Sequence, residues 1–260
     1  MISKKKYVDR LYFSLSRIEP KVLIMANNYF SFKEFTIYQD KSAFKVGTDG
    51  VLLGAVAEVS GVNRILDIGS GTGLITIMLA QRSKADIVSI EPDYQSYFQA
   101  SENVSSCKWG KRITVVNSSL QNYNPGDMKF DLIITNPPFF SNSLKNPDPG
   151  KSFARHDVSL DSEAILSGVS KFLADDGRFQ LILPWVEGNI FIAEAQSYGL
   201  YCNSILKIRP LPAAEIRRMI LTFSKERQKV TEKFLTIESG KRHEFTADYI
   251  SLTKDFYQKF

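Results

Sequence analysis

Asp67-Ile68-Gly69-Ser70-Gly71-Thr72-Gly73-Leu74 is the stretch that decides how this chain folds. The apolar run Arg64–Ile68 leading into it reads as a strand, and Leu74–Gln81 leading out of it reads as a helix. Glycines suit such a junction because the chain turns sharply and a ligand can approach the backbone with no Cβ in the way. Glu91 closes the next apolar run, Ile87–Ile90, and stands 18 positions beyond Gly73 (91 − 73). A carboxylate placed there suits two ribose hydroxyls. The glycine spacing is G-x-G-x-G rather than the dinucleotide pattern G-x-G-x-x-G, and Asp67 precedes the first glycine. A buried negative charge at that point repels a pyrophosphate and suits a cationic ligand end such as an α-ammonium. Hydride transfer from a dinucleotide is therefore disfavoured.

Outward from this turn the pattern alternates regularly. Thr48 or Asp49 can cap a helix running through Val51, Leu52, Leu53, Ala55 and Val56. After the turn come a strand at Ile87–Ile90, a helix at Tyr94–Ser105 and strands at Ile113–Val116 and Leu132–Thr135. A helix at Ser162–Leu173 and a strand at Phe179–Leu183 follow. Tyr201–Ile208 and Met219–Phe223 read as two further strands, antiparallel to one another, joined through Pro210 and Pro212. This alternation implies right-handed crossovers and an α/β fold: a doubly wound, mostly parallel seven-stranded sheet with an antiparallel C-terminal strand. Ala247–Phe260 reads as an amphipathic helix capping the sheet. Residues 1–30 are expected to be a flexible extension, with a native start at Met25 as one version, and residues 31–260 a single domain. Intact mass of the natively expressed protein distinguishes these versions.

The composition fits one folded unit with a sizeable core: 43% hydrophobic and 23% charged residues over 260 positions. No apolar run approaches the roughly 18 residues of a membrane span. Two cysteines cannot make a disulfide scaffold, and two histidines argue against a zinc site, so no metal is expected. A cytoplasmic monomer without membrane contact is the expectation. The net charge of +5 is unevenly placed, since Lys207–His243 holds ten basic residues against four acids. Such an excess attracts phosphates, or is merely a solvated surface.

Thr135-Asn136-Pro137-Pro138-Phe139 follows directly on the Leu132–Thr135 strand. Adjacent prolines fix an extended turn and donate no backbone hydrogen bonds. The Asn136 side chain and the Pro137 backbone each offer a carbonyl acceptor, and Phe139 offers a flat apolar face. Two acceptors can take both N–H bonds of a planar conjugated amino group and draw the nitrogen lone pair out of conjugation, while the ring stacks on the substrate plane. In-line geometry and preorganised acceptors would supply most of the effect, with no general base at the start.

The glycine turn resembles the cofactor motif of class I S-adenosylmethionine-dependent methyltransferases. That resemblance implies S-adenosylmethionine as cofactor, contacts from Asp67, Gly69, Gly71 and Gly73, and Glu91 on the ribose. Ser119, within Ser118-Ser119-Leu120, occupies the family's adenine-side position, where many relatives carry an acid. Asn136-Pro137-Pro138-Phe139 resembles the N-P-P-[F/Y] motif of amino-group methyltransferases, implying Asn136, Pro137 and Phe139 as catalytic, Asn136 also as bordering the cofactor, and Pro138 and Phe139 as substrate contacts. Phe32-Lys33-Glu34-Phe35-Thr36-Ile37, Asp40 and Lys45-Val46-Gly47-Thr48-Asp49-Gly50 complete a likeness running from about Phe32 to Phe223. It is to bacterial tRNA adenine-N6 methyltransferases acting on adenine 37, beside the anticodon of a valine tRNA. This likeness implies that Lys45 and Thr48 border the cofactor pocket and that Ala154-Arg155 belongs to the substrate side. Arg155 suits a phosphate or the ordering of its loop. Arg217 and Arg218 are the preferred phosphate contacts to an anticodon stem-loop within the basic stretch.

Other readings stay open at this level. The same motif serves methylation of a glutamine amide in a release factor or ribosomal protein, or of guanine N2 in ribosomal RNA. A non-catalytic RNA-binding protein on the same fold is the reading from another class, against which the joint presence of Asp67, Glu91 and Asn136 speaks.

Overall fold

A computed structural model describes residues 27–138 and 161–259. The chain opens with a hairpin, β1 (Tyr29–Ser31) and β2 (Thr36–Tyr38), followed by α1 (Thr48–Val56). Then come β3 (Arg64–Ile68), α2 (Leu74–Arg82), β4 (Asp86–Ile90), α3 (Tyr94–Ser106), β5 (Ile113–Val116) and β6 (Phe130–Thr135). The C-terminal half holds α4 (Ser162–Phe172), β7 (Leu173–Pro184), α5 (Trp185–Ala195), β8 (Tyr201–Arg209), β9 (Arg218–Ser224), β10 (Thr231–Thr236) and α6 (Ala247–Thr253). Of the expected 1–30 extension, Tyr29 and Phe30 belong to β1, and residues 1–26 lie outside the described residues.

The sheet is doubly wound as expected, with strand order β10-β8-β9-β7-β6-β3-β4-β5. Only β9 runs against its neighbours among these strands, pairing antiparallel with both β7 and β8. Among the described residues the sheet has eight strands where seven were expected. The eighth, β10, lies at the edge parallel to β8 and buries only Leu235, so its sequence carries no alternation to read.

Central strands are apolar on both faces because each face is covered. Leu132 and Ile134 of β6 join one core with α1, α2 and α6, while Ile133 joins the other with α4 and α5. Helix α2 contributes Leu74, Ile75, Ile77, Met78 and Leu79 to burial, as expected of a helix beneath the sheet's centre. Asp93 caps α3 by accepting from the Ser96 N–H at 2.8 Å, and Asp161 caps α4 by accepting from Ala164 at 2.8 Å.

Two expectations are corrected here. Helix α1 is capped by Gly47, without a side-chain cap; Thr48 is its first residue, and the Asp49 carboxylate is drawn to Arg218 instead. The terminal helix ends at Thr253, although Phe256 beyond it is still buried. Among the described residues no helix is long and apolar enough to cross a membrane.

Candidate functional site

All the strands of the large sheet except β9 end on one rim, and the turn after β3 is its centre. Gly69, Gly71 and Gly73 have φ of +70°, +56° and +80°, a region that L side chains rarely adopt. A Cβ at Gly69 would meet nothing within 4 Å among the described residues, so the backbone there faces open space. The turn is fastened from below: Gly69 and Ser70 donate to the Ile90 carbonyl at 2.8 and 3.2 Å. Asn103 of α3 donates to the Thr72 carbonyl at 2.9 Å and pairs both ways with Tyr38, tying the turn to the hairpin.

Asp67 is fully buried at the end of β3. Its Oδ2 accepts from the Thr76 hydroxyl at 2.5 Å, while Oδ1 is buried with no hydrogen-bond partner among the described residues. Burial raises its pKa to about 7, and repulsion from Glu91 adds to the rise; the Thr76 hydroxyl works against it. Glu91, also buried, accepts from Gly71 at 2.8 Å through Oε2 and from Asp93 at 3.0 Å through Oε1. Burial raises its pKa as well, partly offset by these two amides. A carboxylate has about four acceptor positions, so each group retains capacity for a ligand. Ser70 Oγ, beside the turn, is a further buried oxygen without a partner among the described residues.

The cross-strand register places Ile68 opposite Thr135, so Gly69 and Asn136 leave the sheet side by side, about one strand spacing of 4.8 Å apart. The Thr135 hydroxyl donates to the Ile68 carbonyl at 2.8 Å and pins the two strand ends together. Pro137 is buried and Pro138 exposed. The third wall is the start of α1. A Cβ at Gly50 would lie 3.1 Å from Leu74 Cδ2 and 3.9 Å from Asn136 Nδ2, so this position brings the helix backbone close to the asparagine.

Most of the expected site residues thus converge on one rim. Asp67, Gly69, Gly71, Gly73 and Glu91 line the turn, and Asn136, Pro137 and Pro138 flank it. Thr48 opens the helix that abuts Asn136. Ser119 is buried just past β5, where its Oγ accepts from Asn122 at 3.3 Å and Ser118 donates to the Glu91 carbonyl at 3.2 Å. Lys45 belongs to a loop that borders the turn, for Phe44 Cβ lies 3.8 Å from a Cβ built at Gly71. Its ammonium, however, is held by the carbonyls of Gln39 and Ser42, so it closes that loop. Arg218 reaches the rim but pairs with Asp49 of α1 at 2.8 Å. Neighbouring Arg217 is exposed, with no side-chain partner among the described residues. Phe139 and Arg155 lie outside the described residues. Much of the basic stretch is locally satisfied: Lys207 by Glu232, Lys225 by Asp175, and Arg227 by Gln196.

Two supporting residues and one pairing escaped the sequence reading. Thr76 and Asn103 carried a faint signal, being polar residues on otherwise core-facing helix positions. The Asp49–Arg218 pair joins residues far apart in the chain and had none.

The residues present fit S-adenosylmethionine. An unpartnered buried carboxylate oxygen suits an ammonium, the open backbone at Gly69 leaves room for a ligand, and Glu91 stands one strand further, where a carboxylate suits ribose hydroxyls.

The comparisons with known proteins agree. The family model "Methyltransferase small domain" matches residues 41–182. A curated relative from Trichodesmium erythraeum, named tRNA1(Val) (adenine(37)-N6)-methyltransferase, is 43% identical over 91% of this chain and 100% of its own length. One from Bacteroides fragilis with the same name is 42% identical over 90% of this chain and 100% of its own. Among solved structures, an Agrobacterium tumefaciens protein described as a predicted O-methyltransferase has a TM-score of 0.61 at 21% identity, covering 80% of this chain and 96% of that one. The T. thermophilus 16S rRNA N2 G1207 methyltransferase, solved with AdoMet and guanosine, has a TM-score of 0.53 at 21% identity, covering 76% and 50%. The two structures bear on the fold alone. With a carboxylate-flanked glycine turn beside Asn136-Pro137-Pro138, and relatives above 40% identity along nearly its full length, the chain belongs to the family of tRNA1(Val) (adenine(37)-N6)-methyltransferases, built on the methyltransferase small domain.

Proposed function

We propose that this protein methylates the exocyclic N6 of adenine 37 in the anticodon loop of a valine tRNA. The observation that carries this reading is the register of Ile68 with Thr135, which sets the open glycine turn directly beside Asn136. S-adenosylmethionine, when bound, supplies the electrophilic methyl group. Asp67 would hold its ammonium and Glu91 its ribose hydroxyls, with Ser119 on the adenine side; the loop closed by Lys45 and the start of α1 at Thr48 would border it.

The chain's own residues do the rest. Asn136 accepts one N6–H through its side-chain carbonyl, and Pro137 accepts the other through its backbone carbonyl. Both bonds pull the nitrogen lone pair out of conjugation and fix its direction of attack. Pro138 holds this turn rigid, and Phe139 stacks on the purine. Once alkylated, the nitrogen is acidic and releases its proton without a positioned base. A loop adenine is already partly unstacked, so extracting it costs less than from a duplex. Arg217 contacts phosphate, Arg155 serves the substrate side, and Arg218 acts on substrate indirectly by holding α1 through Asp49. Residues 31–260 work as one catalytic domain, monomeric and cytoplasmic.

The test is incubation with methyl-labelled S-adenosylmethionine and, separately, total tRNA, ribosomal RNA and release factors, followed by nucleoside analysis. Labelled N6-methyladenosine at position 37 of a valine tRNA is expected. Label in a protein amide, or in ribosomal guanine, with unlabelled tRNA overturns the reading.

A further inference from the structure

From Asn136 the sheet continues through β7, β9 and β8 to the edge strand β10. Helix α5 packs on β7, β8 and β9, whereas β10 is covered by α6 from the opposite side. Phe234 of β10 remains 61% exposed. Edge strands usually carry charge in such places, because an exposed aromatic invites unwanted pairing. Next to it the Lys207 ammonium lies 5.5 Å from the Phe234 ring and 5.6 Å from the Trp185 ring, and 2.7 Å from Glu232. Trp185, half-buried against the core, donates its backbone N–H to the Arg217 carbonyl at 3.3 Å. The aromatic group therefore joins the rim loop that presents Arg217. Arg209 completes the cationic side, hydrogen-bonded to Thr236 at 2.9 Å. Because β7 is the direct neighbour of β6, this surface continues the rim that starts at Asn136. Four strand spacings separate Asn136 from Phe234, about 19 Å.

We propose that Phe234, Trp185, Lys207 and Arg217 form the platform on which the single-stranded nucleotides flanking the target adenine dock. The exposed ring offers a stacking face to any base, Lys207, paired with Glu232, braces the two rings, and Arg217 meets a backbone phosphate. Sequence-tolerant stacking suits this position, since the amino group itself is read at Asn136 and Pro137. A second protein chain is the poorer occupant. It would bury Arg217, which has no counter-charge among the described residues, at a cost that phosphates remove. This inference rests on the tRNA reading above.

The experiment measures affinity for a synthetic anticodon stem-loop by fluorescence anisotropy, alongside steady-state kinetics with full-length tRNA. Phe234→Ala is expected to raise both the RNA Kd and its KM about tenfold, the loss of one base–aromatic stack, with kcat and cofactor affinity unchanged. Phe234→Tyr should restore most of the affinity. Arg217→Ala should weaken binding and lower the salt slope by about one counterion. Wild-type RNA affinity in both alanine variants overturns the platform. So does sedimentation showing that Phe234→Ala dissociates a dimer without changing RNA affinity. If wild type methylates tRNA while the variants are indistinguishable from it, only this inference falls; if wild type neither binds nor methylates tRNA, the functional reading falls with it.

Discussion

Replacing Asp67 with asparagine should make the ligand-free protein relatively more stable as pH rises, while abolishing its function. In the folded protein the carboxyl's pKa is raised by burial from 3.8 to about 7. The folded state therefore holds a proton that the unfolded chain has lost between those values. Stability from this group is fully present below pH 3.8 and is lost as pH climbs towards 7, above which the deficit levels off. At roughly 1–2 kcal/mol per tenfold change in proton affinity, the full deficit is about 4 kcal/mol, of which roughly half or more accrues between about pH 5 and 8. The substituted amide carries no such charge. Any cost of burying it is independent of pH, so the informative quantity is the slope. The stability of Asp67→Asn minus that of wild type should rise by about 2–3 kcal/mol from about pH 5 to 8 in urea titrations, or about 5–10 °C in melting temperature. Saturating S-adenosylmethionine, at about 100 times Kd, should return about 2.7 kcal/mol to wild type and nothing to the variant. A difference flat with pH, or one of opposite slope, would refute the claim that this carboxylate is held ionised at a cost in the ligand-free protein.

The remaining expectations follow from the same geometry. Cofactor affinity of wild type should increase as pH rises through about 7, because the ionised form of Asp67 attracts the ammonium; calorimetry at several pH values checks this. Asn136→Ala should keep cofactor binding while lowering turnover at least about 100-fold, as loss of a preorganised polar contact does, and single-turnover kinetics would reveal it. Thr76→Val should destabilise the fold by about 1–3 kcal/mol in denaturant titrations, since it removes the hydroxyl that serves Asp67 Oδ2 while Oδ1 already lacks a partner. A double-mutant cycle on Asp49→Ala and Arg218→Ala should return a coupling of no more than about 1 kcal/mol in stability, because both side chains are partly solvated. Turnover on tRNA should fall by more than that stability change suggests.

The core of the sheet was legible because its strands are buried on both faces. Runs such as Ile65–Ile68 and Leu132–Thr135 leave no ambiguity once glycine turns and capped helices separate them. What escaped was exposed or non-local. Helix α5 starts straight after a strand, contains Gly188, and exposes Val186 and Ile190, so it presents no clean stripe. Strand β10 buries one side chain. Asp67, Glu91 and Asn136 were readable because each sits at a strand end with characteristic neighbours. The pairing of Asp49 with Arg218 depends on β9 returning to the rim, which no local pattern announces. The same return explains why Arg218 helps to hold α1 in place.

The reversed direction of β9 has an evolutionary corollary. In an all-parallel sheet, each connection that enters a strand lies at the end remote from catalysis. Here the segment between β8 and β9 instead surfaces beside the chemistry, anchored at both ends by strand pairing. Insertions or deletions there can reshape which macromolecule is admitted without altering the glycine turn, which lies on other strands of the sheet.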